Sequence, residues 1–135
     1  MDNRSSHLKR IRPILNKAKV SPETSSDESF QNLTLRPIIK LQNALFIQVF
    51  KNYIRKHKNR FYELSLEQRL QYIERAIQKD IKFRNALKGM VIGHFTVEEY
   101  EIYIQNSSAL NKRMMNMVIE RLKDQVQLLE DEVAV

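Results

Sequence analysis

The chain has 135 residues and a net charge of +7, from 23 Lys and Arg against 16 Asp and Glu. Apolar residues make up 42% of it, which is typical of a folded protein, and the length suggests a single domain. The sequence contains no Cys, which excludes disulfides, thiolate metal sites and cysteine nucleophiles.

Turn-forming residues are scarce, with only 2 Gly and 3 Pro in the whole chain. A sheet protein needs more turns than these residues support, so helices joined by short loops are favoured. The apolar residues of the long segments recur every three or four positions, which is the helical period. We therefore predict an all-α protein, an antiparallel bundle of about four helices over residues 34–130.

Residues 1–33 are predicted to form a disordered arm rich in basic residues and Ser. Pro13 and Pro22 interrupt any helix there, and the segment 21–29 is almost wholly polar, although a short helix near Leu8–Leu15 remains open. The first residues lack the apolar core of a signal peptide, and no apolar run approaches the roughly 20 residues of a membrane span. We therefore expect a cytoplasmic protein without a membrane segment.

The first long helix is predicted to begin near Thr34, which can cap it, with Pro37 in the first turn, where a missing N–H costs little. Its end is expected at the polar cluster His57-Lys58-Asn59. The apolar residues between these points form two neighbouring rows: Ile38, Leu41, Leu45, Val49 and Tyr53, and Ile39, Phe46, Phe50 and Ile54. So broad an apolar face has to pack on other helices.

The second helix is predicted to begin at Ser65, because Ser65 and Gln68 have the spacing of a capping box. We expect it to run to Gly89, since a left-handed glycine ends many helices. Asp80 and Arg84 are expected to pair across one of its turns. Its apolar stripe contains Leu66, Leu70, Ile73, Ile77 and Ile81.

The third helix is predicted to begin at Thr96, which forms a capping box with Glu99, and Phe95 and Tyr100 have the spacing of a hydrophobic staple. A polar break then precedes a fourth helix. The apolar stripe of this fourth helix contains Leu110, Met114, Met117, Val118, Leu122, Val126 and Leu129. The final residues 131–135 are predicted to be an acidic and apolar tail.

The positive charge is unevenly distributed. Residues 1–67 carry 13 Lys and Arg against 6 Asp and Glu, whereas residues 68–135 carry 10 of each. Such asymmetry suggests an anionic partner. The densest group of cations lies at the expected end of the first long helix and comprises Lys51, Arg55, Lys56, Lys58 and Arg60.

This basic group is interleaved with the aromatic residues Tyr53, Phe61 and Tyr62. Cations beside aromatic rings can hold phosphates and stack on bases, so the group is a candidate binding site for a nucleic acid or an acidic protein. In the alternative interpretation, the cations only offset the helix dipole at the C-terminus and the aromatic rings belong to the core. A helix-turn-helix formed by the third and fourth helices is less favoured, because glutamates would face the phosphates.

The sequence lacks the patterns of catalytic and metal sites. His7, His57 and His94 do not have the spacing of metal ligands, and neither Gly flanks a Ser as in a nucleophile elbow. The glutamates of segment 98–101 oppose the positive end of a helix dipole, which explains them without catalysis. We therefore assign no catalytic residue, no metal ligand and no cofactor.

Three segments carry a resemblance to a known family. They read FQNLTLRPIIKLQN, QKDIKFRNALKGMVIGHFTVEEY and QNSSALNKRMMNMV, and the resemblance spans about three quarters of the chain, from Phe30 to Leu129. On these segments the chain resembles a family of short helical bacterial proteins whose members often carry a glyoxalase label. The resemblance implies a folded helical domain.

Two functional hypotheses follow. The favoured one is a non-catalytic binding or assembly module that uses the basic group, with self-association left open. The other is a glyoxalase-type enzyme, as the resemblance implies. Glyoxalases use either βαβββ modules with His and Glu ligands or a His-x-His-x-Asp-His motif, and this sequence has neither pattern. Metal content and turnover of methylglyoxal would distinguish the two hypotheses.

Overall fold

The computed structural model describes residues 3–15 and 25–130, and within these ranges it contains helices and no strand. The all-α prediction is confirmed, but the expected number of about four helices is too low. The helices are α1 (Asn3–Ile11), α2 (Ser26–Phe30), α3 (Arg36–Leu41), α4 (Asn43–Lys56), α5 (Leu66–Lys79), α6 (Ile81–Ile92), α7 (Val97–Tyr103) and α8 (Ser107–Asp124). A π-helical turn (Gln31–Leu35) joins α2 to α3, and 3₁₀ turns follow α4 (Arg60–Glu63) and α8 (Val126–Leu129).

None of the helices in the described ranges is long and apolar enough to cross a bilayer. The predicted tail, residues 131–135, lies outside the described residues, as do residues 16–24 of the predicted arm.

Two described parts of the predicted arm, Asn3–Ile11 and Ser26–Phe30, are helical and packed on the rest of the fold. Within residues 1–33, α1 and α2 are regular helices, and the side chain of Ser25 caps α2 by accepting from the Glu28 N–H. Phe30 is buried and meets the ring of Phe95 edge to face, with 5.5 Å between ring centroids. The composition indicated a solvated segment, but Phe30 of this segment is part of the core and α1 packs against the rest of the fold.

The docking of α1 rests on two arginines. Arg4 donates to the carbonyl oxygens of Gly93 and Phe95, at 2.9 and 2.8 Å. Arg12, just after α1, makes a two-pronged ion pair with Glu99, with both N···O distances at 2.7 Å. Both partners are nearly enclosed, with 7% of the Arg12 side chain and 11% of the Glu99 side chain exposed.

The first long helix also begins earlier than predicted. Helical backbone already runs from Ser26, so Thr34 is not a cap; its hydroxyl instead donates to a Glu99 carboxylate oxygen at 3.2 Å. The π-helical turn ends two residues before Pro37, whose ring removes one N–H from the ladder. A second irregularity at Gln42 separates α3 from α4.

The second predicted helix is two helices with a break at Asp80. The backbone of Asp80 is extended (φ −86°, ψ 99°), and its side chain caps α6 by accepting from the Phe83 N–H. The expected pair with Arg84 therefore does not form. Gly89 lies inside α6 without a positive φ, and the helix continues to Ile92.

Both predicted capping boxes are confirmed. Ser65 and Gln68 bond reciprocally at the start of α5, and Thr96 and Glu99 do so at the start of α7. The predicted staple is replaced: Phe95 packs on the ring of Tyr103, with 5.5 Å between ring centroids. One turn further along α7, Tyr103 can reach the core that Phe30 and Phe95 share.

The core lies around α8, which contacts α3, α4, α5 and α6. Among its fully enclosed side chains are Leu35, Ile38, Phe46, Phe50, Ile54, Phe61, Ile73, Ile77, Leu87, Leu110 and Met114. An aromatic cluster occupies one end, where Phe50 meets Tyr53, Phe61, Tyr72 and Phe83 at centroid distances of 5.7 to 6.3 Å. This cluster supports the surface at the end of α4.

Candidate anion-binding cleft

The end of α4 is a tight turn with an unusual backbone. The Asn59 N–H reaches back to the Ile54 carbonyl oxygen at 3.0 Å, which closes the helix. Lys58 and Asn59 both have positive φ, 63° and 57°, in the left-handed region that favours glycine. Asn tolerates this region, but a side chain such as that of Lys58 costs about 1–2 kcal/mol there.

A cleft of about 950 Å³ opens between this turn and α5. It is within the size range of small-molecule sites. It is lined by Tyr53, Lys56, His57, Lys58, Arg60, Leu64, Gln68, Gln71, Tyr72, Arg75, Ala76, Lys79 and Asp80. Five of these residues are cations and one is a carboxylate.

The structure divides the basic group that the sequence indicated. Lys56, Lys58 and Arg60 line the cleft. Arg55 is exposed on α4 but is not among the lining residues. Lys51 is only 9% exposed and is removed from the candidate site, because it lies on the α4 face that packs into the core.

Two cations of the cleft were missed by sequence reasoning. Arg75 and Lys79 belong to α5, the wall opposite the turn. They follow Gln68 and Gln71 along one face of that helix, at spacings of three and four, so the face was readable in the sequence. That this face meets the end of α4 depends on tertiary packing.

The five cleft cations have no protein partner among the residues that the structure describes. None is within ion-pair distance of a carboxylate or in a side-chain hydrogen bond there. Arg69, which lies on α5 between the lining residues Gln68 and Gln71 but does not line the cleft, shows the contrast. It pairs with Glu130 and lies 5.1 Å from the ring centroid of Phe61. The cleft cations are therefore free to bind a ligand, whereas Arg69 is used by the fold.

The single carboxylate of the cleft, Asp80, is already hydrogen-bonded within the protein. Asp80 accepts from the Phe83 N–H at 3.2 Å and from the Tyr53 hydroxyl at 3.0 Å. These two bonds hold the pKa of Asp80 below its ordinary value, so it is charged at neutral pH. Burial, together with the negative charge of Asp80, raises the pKa of Tyr53, which stays protonated and keeps donating.

The aromatic residues also differ in their roles. Phe61 is enclosed in the core, and the Tyr62 hydroxyl donates to the Leu129 carbonyl oxygen at 2.7 Å, so both support the fold. Tyr53 lines the cleft and stacks on the ring of His57, with 4.0 Å between centroids and 24° between planes. The core interpretation of the aromatic residues is thus correct for Phe61, and the binding interpretation needs only Tyr53.

The other two histidines lie away from the cleft. His7 is exposed on α1, and burial together with the nearby charges of Arg12 and Arg4 lowers the pKa of His94. Within residues 3–15 and 25–130, no three His, Asp or Glu side chains are grouped as they would be around a metal ion.

No protein-family model, no curated protein and no solved structure matches the chain.

Proposed function

We propose that this protein is a non-catalytic binding module that holds an anionic, phosphate-bearing partner in the cleft between the end of α4 and α5. One observation carries the proposal. Five cations surround a single cleft of about 950 Å³, and none of them has a partner among the described residues.

The dipole interpretation explains only part of this arrangement. Lys56 and Lys79 lie in the last turns of α4 and α5, where a cation offsets the helix dipole. Arg75 lies a full turn further into α5, and Lys58 and Arg60 lie beyond the end of α4. A role in helix stability does not account for these three, but a shared ligand does.

Phosphate is the anion that suits this surface best. Arg60 and Arg75 offer planar guanidinium groups that bond phosphate oxygens in pairs, and the lysines add point charges. Binding by exposed cations of this kind releases counterions, so affinity falls steeply with salt. The carboxylates of an acidic protein pair with guanidinium groups in the same way, but the rings of Tyr53 and His57 in the same cleft favour a phosphate carried by a nucleic acid.

The test separates the cleft from the net charge of +7. One variant carries Lys56→Glu and Lys79→Glu, and the control carries Lys40→Glu and Lys112→Glu, on exposed lysines of α3 and α8 outside the cleft. Both variants have the same net charge. Binding to a fluorescent single-stranded 12-nucleotide DNA is measured by anisotropy at low and at physiological salt.

We expect the cleft variant to bind roughly tenfold more weakly or worse at low salt, with a shallower salt dependence, because two phosphate contacts are lost. The control should stay within about threefold of the wild type. Equal losses in both variants would contradict the proposal, since net charge alone would then explain the binding. Absence of wild-type binding at low salt would also contradict it and would leave an acidic protein as the partner.

A further inference from the structure

A column of three rings ends in the cleft. The rings of Phe83 and Tyr53 lie 4.1 Å apart between centroids at 32°, and those of Tyr53 and His57 lie 4.0 Å apart at 24°. The column starts against the aromatic cluster of the core, because Tyr53 and Phe83 both contact Phe50. His57 is its outermost member and is exposed.

Hydrogen bonds fix this column. The Tyr53 hydroxyl donates to Asp80, which sets the orientation of the middle ring. The His57 Nδ1–H donates to the Tyr53 carbonyl oxygen at 2.8 Å, which holds the outer ring even though it is exposed to solvent. An exposed side chain that is held in this way loses little conformational entropy when it binds a ligand.

One face of the His57 ring is covered by Tyr53, and no other aromatic ring of the described residues lies against it. Because His57 is exposed, its opposite face is the end of the stack that a ligand can reach, beside Lys56 and Lys58. A planar aromatic ring is the group that such a face binds, through stacking.

On these grounds we infer that the ligand of the cleft is a nucleotide, whose base stacks on the free face of His57 while its phosphate binds the surrounding cations. The inference rests on the proposed function and specifies its ligand class. Gln68 and Gln71 line the same cleft and carry amides that both donate and accept, as the edges of bases require.

The backbone of the turn is consistent with this assignment. Lys58, at φ 63°, adjoins His57 and precedes Arg60 at the start of the 3₁₀ turn. Left-handed non-glycine residues of this kind cluster at binding sites, where their side chains repay the strain. Here the strained turn places the stacking ring and two cations along one edge of the cleft.

The experiment compares ligands with equal phosphate and different bases. The free pair is adenosine monophosphate and ribose 5-phosphate. The strand pair is an eight-residue deoxyadenosine oligomer and an abasic oligomer of the same length. Affinities are measured by titration calorimetry for the full-length wild type, for His57→Ala and for His57→Phe, with folding checked by circular dichroism.

We expect the wild type to prefer the base-containing member by between about 5-fold and 150-fold, the range of one base stacked on one aromatic ring. His57→Ala should remove this preference and leave binding of the base-free member unchanged. His57→Phe should keep the preference, because a planar ring remains. A preference with adenosine monophosphate identifies a free nucleotide as sufficient, and one seen only with the oligomer identifies a single strand.

Two outcomes would overturn the inference. In the first, the wild type shows no preference for the base in either pair. In the second, His57→Ala keeps the preference, so the base stacks elsewhere. In both cases the double variant at Lys56 and Lys79 can still lose salt-dependent binding, so the proposed function is judged separately.

Discussion

At the scale of single residues, the cleft contains cations that lack the ion pairs and ring contacts of a neighbouring cation. Arg69 has a carboxylate and an aromatic ring, whereas Arg75, less than two turns away on the same helix, has neither among the described residues. Lys58 occupies a left-handed position that glycine would fill without strain. Both features are what the proposed ligand site requires, so each can be tested by substitution.

Replacing Lys58 by glycine should raise the stability of the protein and weaken its binding. Lys58→Gly relieves a left-handed strain of about 1–2 kcal/mol but loosens the unfolded chain by about 0.4–1 kcal/mol. The free energy of unfolding should therefore rise by roughly 0.5–1 kcal/mol, while affinity for the oligonucleotide falls several-fold because one phosphate contact is lost. Urea unfolding and anisotropy give the two quantities.

Lys58→Ala is the matched control, since it removes the same charge and keeps the strain. It should weaken binding as much as Lys58→Gly and should not raise stability. A glycine variant that binds as tightly as the wild type would show that Lys58 is not a ligand contact.

At the scale of elements, the main surprise is that α1 is docked on the segment that begins α7. Five hydrogen-bonding groups converge on Glu99: both terminal nitrogens of Arg12, the Thr34 hydroxyl, the Thr96 N–H and, through the same capping box, the Thr96 hydroxyl that accepts from the Glu99 N–H. Three separate parts of the chain therefore meet at one carboxylate. This contact joins the first helix to the rest of the fold.

Arg12→Ala tests this junction. Removing one partner leaves the other charge buried, which typically costs about 3–5 kcal/mol. We expect a loss of that order in urea unfolding, whereas Arg10→Ala, on an exposed residue of α1, should change stability by less than about 0.5 kcal/mol. A value for Arg12→Ala close to that of Arg10→Ala would mean that α1 is not docked in solution.

The pH dependence gives the same test an independent readout. Burial alone would raise the pKa of Glu99, but the hydrogen bonds and charge of Arg12, with the Thr96 N–H, hold it below its ordinary value of 4.5. A carboxyl whose pKa is lowered by folding adds stability above pH 4.5 and loses it as the pH falls through the lowered pKa. Wild-type stability should therefore fall in acid, and Arg12→Ala should lose this part of the acid dependence.

At the scale of the whole molecule, the core and the cleft share one aromatic cluster. Phe50 is completely buried and contacts both Tyr53 and Tyr72, which line the cleft. The ring column that ends at His57 rests on this same cluster through Tyr53. The wall of the cleft is thus an outward extension of the aromatic core.

Phe50→Ala should therefore disturb both stability and binding. The cavity should lower the free energy of unfolding by about 3–5 kcal/mol, and affinity should fall even where the protein remains folded, because Tyr53 loses its support. Phe46→Ala is the control: Phe46 is equally enclosed but contacts no ring of the cleft, so it should cost similar stability without weakening binding. Equal effects on binding would show that the loss reflects general loosening.

What the sequence determined by itself was the local chemistry. The helical class and the capping boxes at Ser65 and Thr96 depend on residues within about one helical turn of each other. Interactions of such short range are set by spacing alone, so the pattern of residues predicts them. The break at Asp80 also depends on nearby residues. There, however, Asp80 can either continue the first helix or cap a new one, and residue spacing does not decide between the two.

Only the tertiary structure decided which of these parts meet. Arg12 and Glu99 are 87 positions apart, so nothing local distinguishes Arg12 from the other cations of a segment that composition marks as disordered. Arg75 joins Lys58 at one cleft only because α5 packs beside the end of α4, and Lys51 is buried although its charged neighbours in the sequence are exposed. Whether a side chain is buried depends on contacts with elements that are distant in the sequence. Such contacts bury Lys51 and leave Lys56 and Lys58 exposed at the cleft.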